Sequence, residues 1–169
     1  MVSTKPLEIN IKDRISPNAK VWIYQSSSPF NAADTEKLSS ITSDFVKDWA
    51  AHGTGLIADS QIFFNRFICL FVDESAQGAS GCSIDSSVHF IQNLEKQFGI
   101  SLMNRTDVAY VDAQGDIKLI DLYQLKDAAT KGEISDKTFV FNNLVRTKEE
   151  MENLWLTPIS ESWHKRMLS

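Results

Sequence analysis

Two cysteines are all that this chain holds, and no stretch of it is strongly basic or long and apolar. Each absence removes a class of function. Cys69 and Cys82, with three scattered histidines, do not assemble a zinc site, and an iron–sulfur cluster would need more thiolates. No metal and no cofactor is therefore expected. Cys69 sits inside Phe67-Ile68-Cys69-Leu70-Phe71 and reads as a small buried hydrophobe, which argues against a bridge to Cys82. The longest Lys/Arg cluster is Lys165-Arg166, and the formal charge is −5. Nucleic-acid phosphate needs a basic face, so nucleic acid is excluded as a partner. The longest apolar run, Phe67 to Val72, falls far short of the roughly 20 residues that a membrane span requires. No membrane insertion is expected. The start, Met1-Val2-Ser3-Thr4-Lys5-Pro6, lacks the apolar region of a secretory signal, and the expected location is the reducing cytoplasm.

What is present is an ordinary globular balance, 43% apolar and 23% charged over 169 residues, enough for one domain with a real core. Residues 1–19 are polar, carry Pro6 and Pro17, and read as a flexible N-terminal arm. Residues 20–169 read as a single α+β domain, with a core over 20–121 and a mostly helical C-terminal extension over 122–169.

Within that domain Val21–Gln25 alternates as a strand, and Asn31 caps a helix with Asp34 three positions on. Leu38, Ile41, Phe45, Trp49 and His52 recur at helical steps before Gly53 closes the helix. Leu56–Phe64 and Phe67–Asp73 read as strands joined at Asn65-Arg66, the second apolar on both faces. A helix from Ile84 to Phe98 follows, with Ile84, Val88, Ile91, Leu94 and Phe98 as its core stripe. Thr106–Asp112 and Asp116–Asp121 form a hairpin, and Leu122–Lys131 a helix stopped by Gly132. Thr138–Asn142 is a short strand, Thr147 caps a further helix, and a last helix runs from Ser160 to Leu168 beyond Pro158.

Up to Asp112 the order strand, helix, strand, strand, helix, strand is that of the ferredoxin-like fold, an antiparallel sheet with two helices on one face. The apolar second face then requires a cover, either the C-terminal third or a second copy of the chain. A homodimer is accordingly the expected partner.

Gly78-Ala79-Ser80-Gly81-Cys82 opens the second helix and admits three readings. The first is a phosphate-cradling Walker A loop, G-x-x-x-x-G-K-S/T, which demands Gly, Lys and Ser/Thr at positions 83–85. The chain has Ser83, Ile84 and Asp85, without the ammonium that neutralises phosphate or the hydroxyl that holds magnesium. NTP hydrolysis is excluded. The second reading is a thiol site, with Cys82 near a helix N-terminus that favours thiolate, and Asp85 placed to orient His89. Cys82 and His89 lie seven positions apart, about 10 Å along a helix, which counts against a direct pair. The third reading is structural, with Gly78 and Gly81 making a tight turn, Ser83 or Asp85 capping the helix, and Asp85, His89 and Lys96 forming its solvated face. Beside it stands a ligand site in which the free amides, with Ser80, Ser83 and Ser86, take a small molecule or anion. Gly78, Gly81 and Arg66 join that candidate ligand set.

Other polar residues read as structural. His52 lies on an apolar stripe and His164 beside Trp163, where docking of the tail is expected. Asn142-Asn143 caps a turn. Asp73 and Glu74, adjacent after a strand, point apart and make a poor acid–base pair.

Several motifs together resemble an uncharacterised family of small proteins of Bacteroidetes-type bacteria. They are Val21-Trp22-Ile23-Tyr24-Gln25, Trp49-Ala50-Ala51-His52-Gly53, Asn65-Arg66-Phe67-Ile68, Gly81 to Ile91, Val140-Phe141-Asn142-Asn143 and Ser162-Trp163-His164. Members of that family often carry the automatic label ABC transporter ATPase, which the opening of the glycine turn explains and the missing lysine refuses. The resemblance spans Val21 to Met167 and implies a stand-alone cytoplasmic protein, with no activity or catalytic residues attached. Together these readings give a non-catalytic binding or interaction protein, the alternative being a small cysteine-dependent enzyme.

Overall fold

Phe67-Ile68-Cys69-Leu70-Phe71-Val72-Asp73, the most apolar segment of the sequence, forms β3, and all but Asp73 is buried. The computed structural model of the chain describes residues 5–52, 57–73 and 81–168, and at 50–52 and 81–83 the backbone alone. The chain divides into two compact units.

The first unit comprises residues 11–104 and 146–149. Its sheet has the order β1-β3-β2, built from β1 (Lys20–Gln25), β2 (Ile57–Phe63) and β3 (Phe67–Asp73), antiparallel throughout. Two helices, α1 (Ala32–His52) and α2 (Gly81–Phe98), supply its apolar cover. Asn31 caps α1 as its spacing required, its Oδ1 accepting the Asp34 N–H at 2.8 Å. Leu38, Val46 and Trp49 of α1 and Ile91 and Leu94 of α2 pack on Ile68, Leu70 and Val72, one face of β3. Phe45 stacks on Phe90 with ring centroids 4.1 Å apart, joining the two helices. The other face of β3, Phe67, Cys69 and Phe71, is equally buried within this single chain. No second copy is needed to cover it.

The α+β class holds, but the ferredoxin-like arrangement is corrected by the partner of the fourth strand. In that fold the fourth strand lies beside β1. Here the outer edge of β1 meets residues 146–148: Val21 N–H donates to Arg146 O at 2.9 Å, Lys20 bridges Thr147, and Lys148 N–H donates to Ala19 O at 2.9 Å. The position is taken, and β4 (Asp107–Val111) pairs elsewhere.

Residues 11–19 are also not the loose arm that their polarity implied. Lys12 N–H donates to Gln61 Oε1 and Arg14 forms an ion pair with Asp59 at 3.0 Å. Ile15 and Ala19 are buried, and Lys148, only 3% exposed, donates from Nζ to Ile15 O.

The second unit comprises residues 5–10, 105–145 and 150–168 among those described. Its sheet has the order β5-β4-β6-β7, with β5 (Ile117–Asp121), β6 (Phe139–Phe141) and β7 (Leu156–Pro158). The β4–β5 hairpin turns where expected. Asp112 Oδ1 accepts the N–H groups of Gln114 and Asp116, and Gly115 takes the φ of +84° that the turn demands. Beyond it lie α3 (Leu125–Thr130) and α4 (Lys148–Leu154), the first two residues of α4 belonging to the other unit. Leu125, Ala128, Val140 and Ile159 centre its core. The C-terminal third is thus not a helical extension but supplies two strands of this sheet. Its last segment, expected as one helix, is two 3-10 turns, Ile159–Glu161 and Trp163–Leu168.

Candidate functional site

The glycine turn singled out by sequence falls largely outside the described residues. Gly78 and Ser80 lie in 74–80, and Gly81, Cys82 and Ser83 are described by backbone alone. That backbone is helical from Gly81, three residues before the expected start, which puts Cys82 and Ser83 in the first turn of α2. Asp85, Ser86 and His89 are exposed, as their wheel positions required, and Asp85 and His89 make no hydrogen bond to each other. Ser87 turns inward, its Oγ donating to Ile84 O at 2.6 Å. Ile84, assigned by its period to the core stripe, is instead 43% exposed. The stripe of α2 therefore begins at Ser87 and runs through Ile91 and Leu94.

Arg66 is not part of this group. It precedes β3, whereas residues 74–80 follow it, and seven strand residues separate the two by about 20 Å. Arg66 belongs to a loop cluster at the other end of the sheet. The β2–β3 turn places Phe64 and Asn65 at φ of 54° and 53°, a mirror-image tight turn that suits Asn and strains Phe. Arg66 N–H donates to Phe63 O at 3.0 Å to close it. The loop 26–31 wraps this turn, with Ser26 N–H donating to Arg66 O at 2.8 Å and Phe30 N–H to Asn65 O at 2.6 Å. Ser27 and Ser101 exchange hydrogen bonds, Ser27 N–H to Ser101 O and Ser101 N–H to Ser27 Oγ.

Inside this cluster the Arg66 side chain is 9% exposed and donates one hydrogen bond, from its guanidinium to Ser26 O at 3.3 Å. Among the described residues no carboxylate pairs with it. Burial alone lowers its pKa from the ordinary arginine value. A guanidinium taken out of water without a counter-charge is costly, which makes this the most unusual electrostatic feature of the first unit. A cleft of about 540 Å³, lined by Gln92, Glu95, Lys96, Ile100 and Ser101, lies beside the Ser27–Ser101 pair.

The remaining candidates are structural. Cys69 is fully buried and burial pushes its thiol well up, the inert state expected of it. His52 ends α1, its side chain lying outside the described residues. His164, in the second unit, is 2% exposed, with Nδ1 2.6 Å from Ser162 Oγ and its ring 4.0 Å from that of Trp163. Burial lowers its pKa to about 4, so it is neutral at physiological pH. This is a docked tail residue rather than a base facing solvent. Asn142 Oδ1 accepts the Leu144 N–H, the turn chemistry anticipated there, whereas Asn143 Oδ1 accepts Trp155 Nε1–H at 2.9 Å from 12 positions on. Among the described residues no group of three or more acids, histidines and cysteines is placed to hold a metal, and no helix is long and apolar enough to cross a membrane. Sequence reasoning missed Lys148 altogether. It begins a polar helical turn, and only the distant segment 13–19 makes it interior.

No protein-family model, curated protein or solved structure matches the chain.

Proposed function

We propose that this is a non-catalytic cytoplasmic binding or interaction protein that self-associates through the surface on either side of residues 74–80. One observation carries the reading. Ile57, at the start of β2, is 52% exposed, and Ile84, in the first turn of α2, is 43% exposed. Ile57 pairs with Asp73, the last residue of β3, so the two side chains belong to the elements that border this segment. Two exposed branched aliphatic residues on elements that border one segment support a surface that gains from association. The amides at the start of α2, with Ser83 and Ser86, support a small anion or polar ligand at the same edge. Any kinship with the small bacterial family adds no chemistry to this reading, and ATP hydrolysis stays excluded by Ile84 and Asp85 at the lysine and hydroxyl positions.

The test is sedimentation equilibrium of the full chain beside Ile57→Glu and Ile84→Glu. Association in the micromolar range that both variants weaken by tenfold or more, with unchanged circular dichroism, supports the proposal. A wild type that stays monomeric to about 100 µM overturns it.

The alternative is a cysteine-dependent enzyme, favoured by the placement of Cys82 in the first turn of α2. His89, seven positions on, is too far along the helix for a direct proton transfer, so the base would have to come from elsewhere. Alkylation of Cys82 against pH separates the readings. A thiolate well below the ordinary value of about 8.5 supports the enzyme, and normal titration removes it.

A further inference from the structure

Arg66 departs from the rule that a buried charge is paired. It is 9% exposed, the partner of its guanidinium is a neutral carbonyl, and Lys148, the other buried Lys or Arg among the described residues, by contrast has a carboxylate 3.7 Å away in Asp13. The guanidinium is also held in place. Ser26 both donates its N–H to Arg66 O and accepts from the guanidinium, and the turn beneath is pinned by Phe30 and Asn65. Trp163 Nε1, in the other unit, is the single orphaned buried side-chain polar atom among the described residues. The guanidinium nitrogens without a partner are therefore not completely sealed from water.

We propose that Arg66 and the loop 26–31 form a binding site for one carboxylate group of a small organic acid. The charge selects the ligand. Lys96 and Glu95 both line the neighbouring cleft and offset one another, so a single negative charge balances Arg66, whereas a phosphate dianion would leave one charge uncompensated at a buried position. The backbone selects it as well. The N–H groups of Ser26, Ser27, Ser28 and Phe30 are engaged by Arg66 O, Ser101 O, Ser26 Oγ and Asn65 O, and Pro29 has none. No nest of free amides remains of the kind that phosphate uses. A planar carboxylate meeting a planar guanidinium needs only the fork itself. The cleft that Ser101 lines is tied to this loop by the Ser27–Ser101 hydrogen bonds and has room for the carbon skeleton of the acid.

This site is separated by the length of β3 from Ile57 and Ile84, so it goes beyond the proposed self-association, and each stands or falls alone. The experiment is a titration of ¹⁵N-arginine-labelled full-length protein with sodium acetate and sodium succinate, against sodium chloride and sodium phosphate at matched ionic strength. The Arg66 Nε–Hε resonance, assigned by its absence in Arg66→Gln, is expected to move saturably with the carboxylates, half-maximally at millimolar concentration, and to stay put in chloride. The wild-type resonance decides the matter even where Arg66→Gln folds poorly, assignment then coming from Arg66→Lys. A resonance unmoved by 100 mM carboxylate overturns the site. An equal or tighter response to phosphate overturns the ligand class.

Discussion

Lys148 Nζ donates to the Ile15 carbonyl at 2.9 Å, joining residues 133 positions apart. The ammonium is nearly sealed from water, and its neighbour Asp13 is fully exposed and 3.7 Å away. The hydrogen bond to the carbonyl, more than the ion pair, therefore holds the segment 13–19 against the start of α4. Lys148→Met keeps the aliphatic stem and removes the donor. The expected loss is about 1–3 kcal/mol, since Ile15 O is left without its partner, and chemical denaturation with unchanged m-value reads it. Asp13→Ala should change stability by less than about 0.5 kcal/mol.

His164 ties stability to pH. Its folded pKa is about 4 because burial disfavours the imidazolium, against about 6.5 for an unfolded histidine. Between those values the unfolded chain binds the proton and the folded one does not. Stability is complete above about pH 6.5 and falls as pH drops toward 4, by up to roughly 3 kcal/mol. His164→Phe should flatten this part of the curve, seen as a smaller difference in urea midpoint between pH 7 and pH 4.5. An unchanged slope would remove His164 as its source.

Cys69 should not react in the native state. With its thiol buried and its pKa raised, iodoacetamide at pH 8 is expected to label Cys69 only as fast as the chain opens, the rate rising with added urea. Labelling within minutes in buffer alone would contradict the burial of β3.

The β2–β3 turn makes a sharper prediction. Asn65 sits at φ 53°, which Gly tolerates and a β-branched residue does not. Asn65→Gly should stay within about 0.5 kcal/mol of wild type, the small loss reflecting the 3.4 Å contact from Thr35 Oγ1. Asn65→Val should cost about 1–2 kcal/mol. Equal losses in the two variants would mean that the side-chain contacts of Asn65, not the backbone, set its identity.

What the sequence revealed was local. The Asn31 cap, the Asp112–Asp116 turn and the burial of β3 on both faces follow from short-range spacing and from side-chain chemistry within a few residues. Partner choice did not follow. An alternating strand such as Asp107–Val111 presents the same pattern to any edge, and which edge it joins depends on whether Arg146–Lys148 already occupies β1. Ile84 illustrates the same limit. Its helical phase points it to the core, but in the first turn of α2 the core has not yet begun. Of the candidate sites, Arg66 was visible as a residue but not as a buried unpaired charge, because burial there comes from loop 26–31, far from it in sequence.

Residues 146–149 complete the first unit by closing the open edge of β1, more than 40 positions after the rest of that unit ends at 104. A ribosome must therefore pass residue 149 before the earlier unit is finished, although its core helices and strands emerge long before. During that interval the backbone groups of Val21 and Ala19 wait without the partners Arg146 and Lys148, and β1 is a sticky margin exposed to other nascent chains. The two units are thus bound to a common schedule of synthesis, and shortening the chain before residue 146 would release a first unit that lacks its clasp.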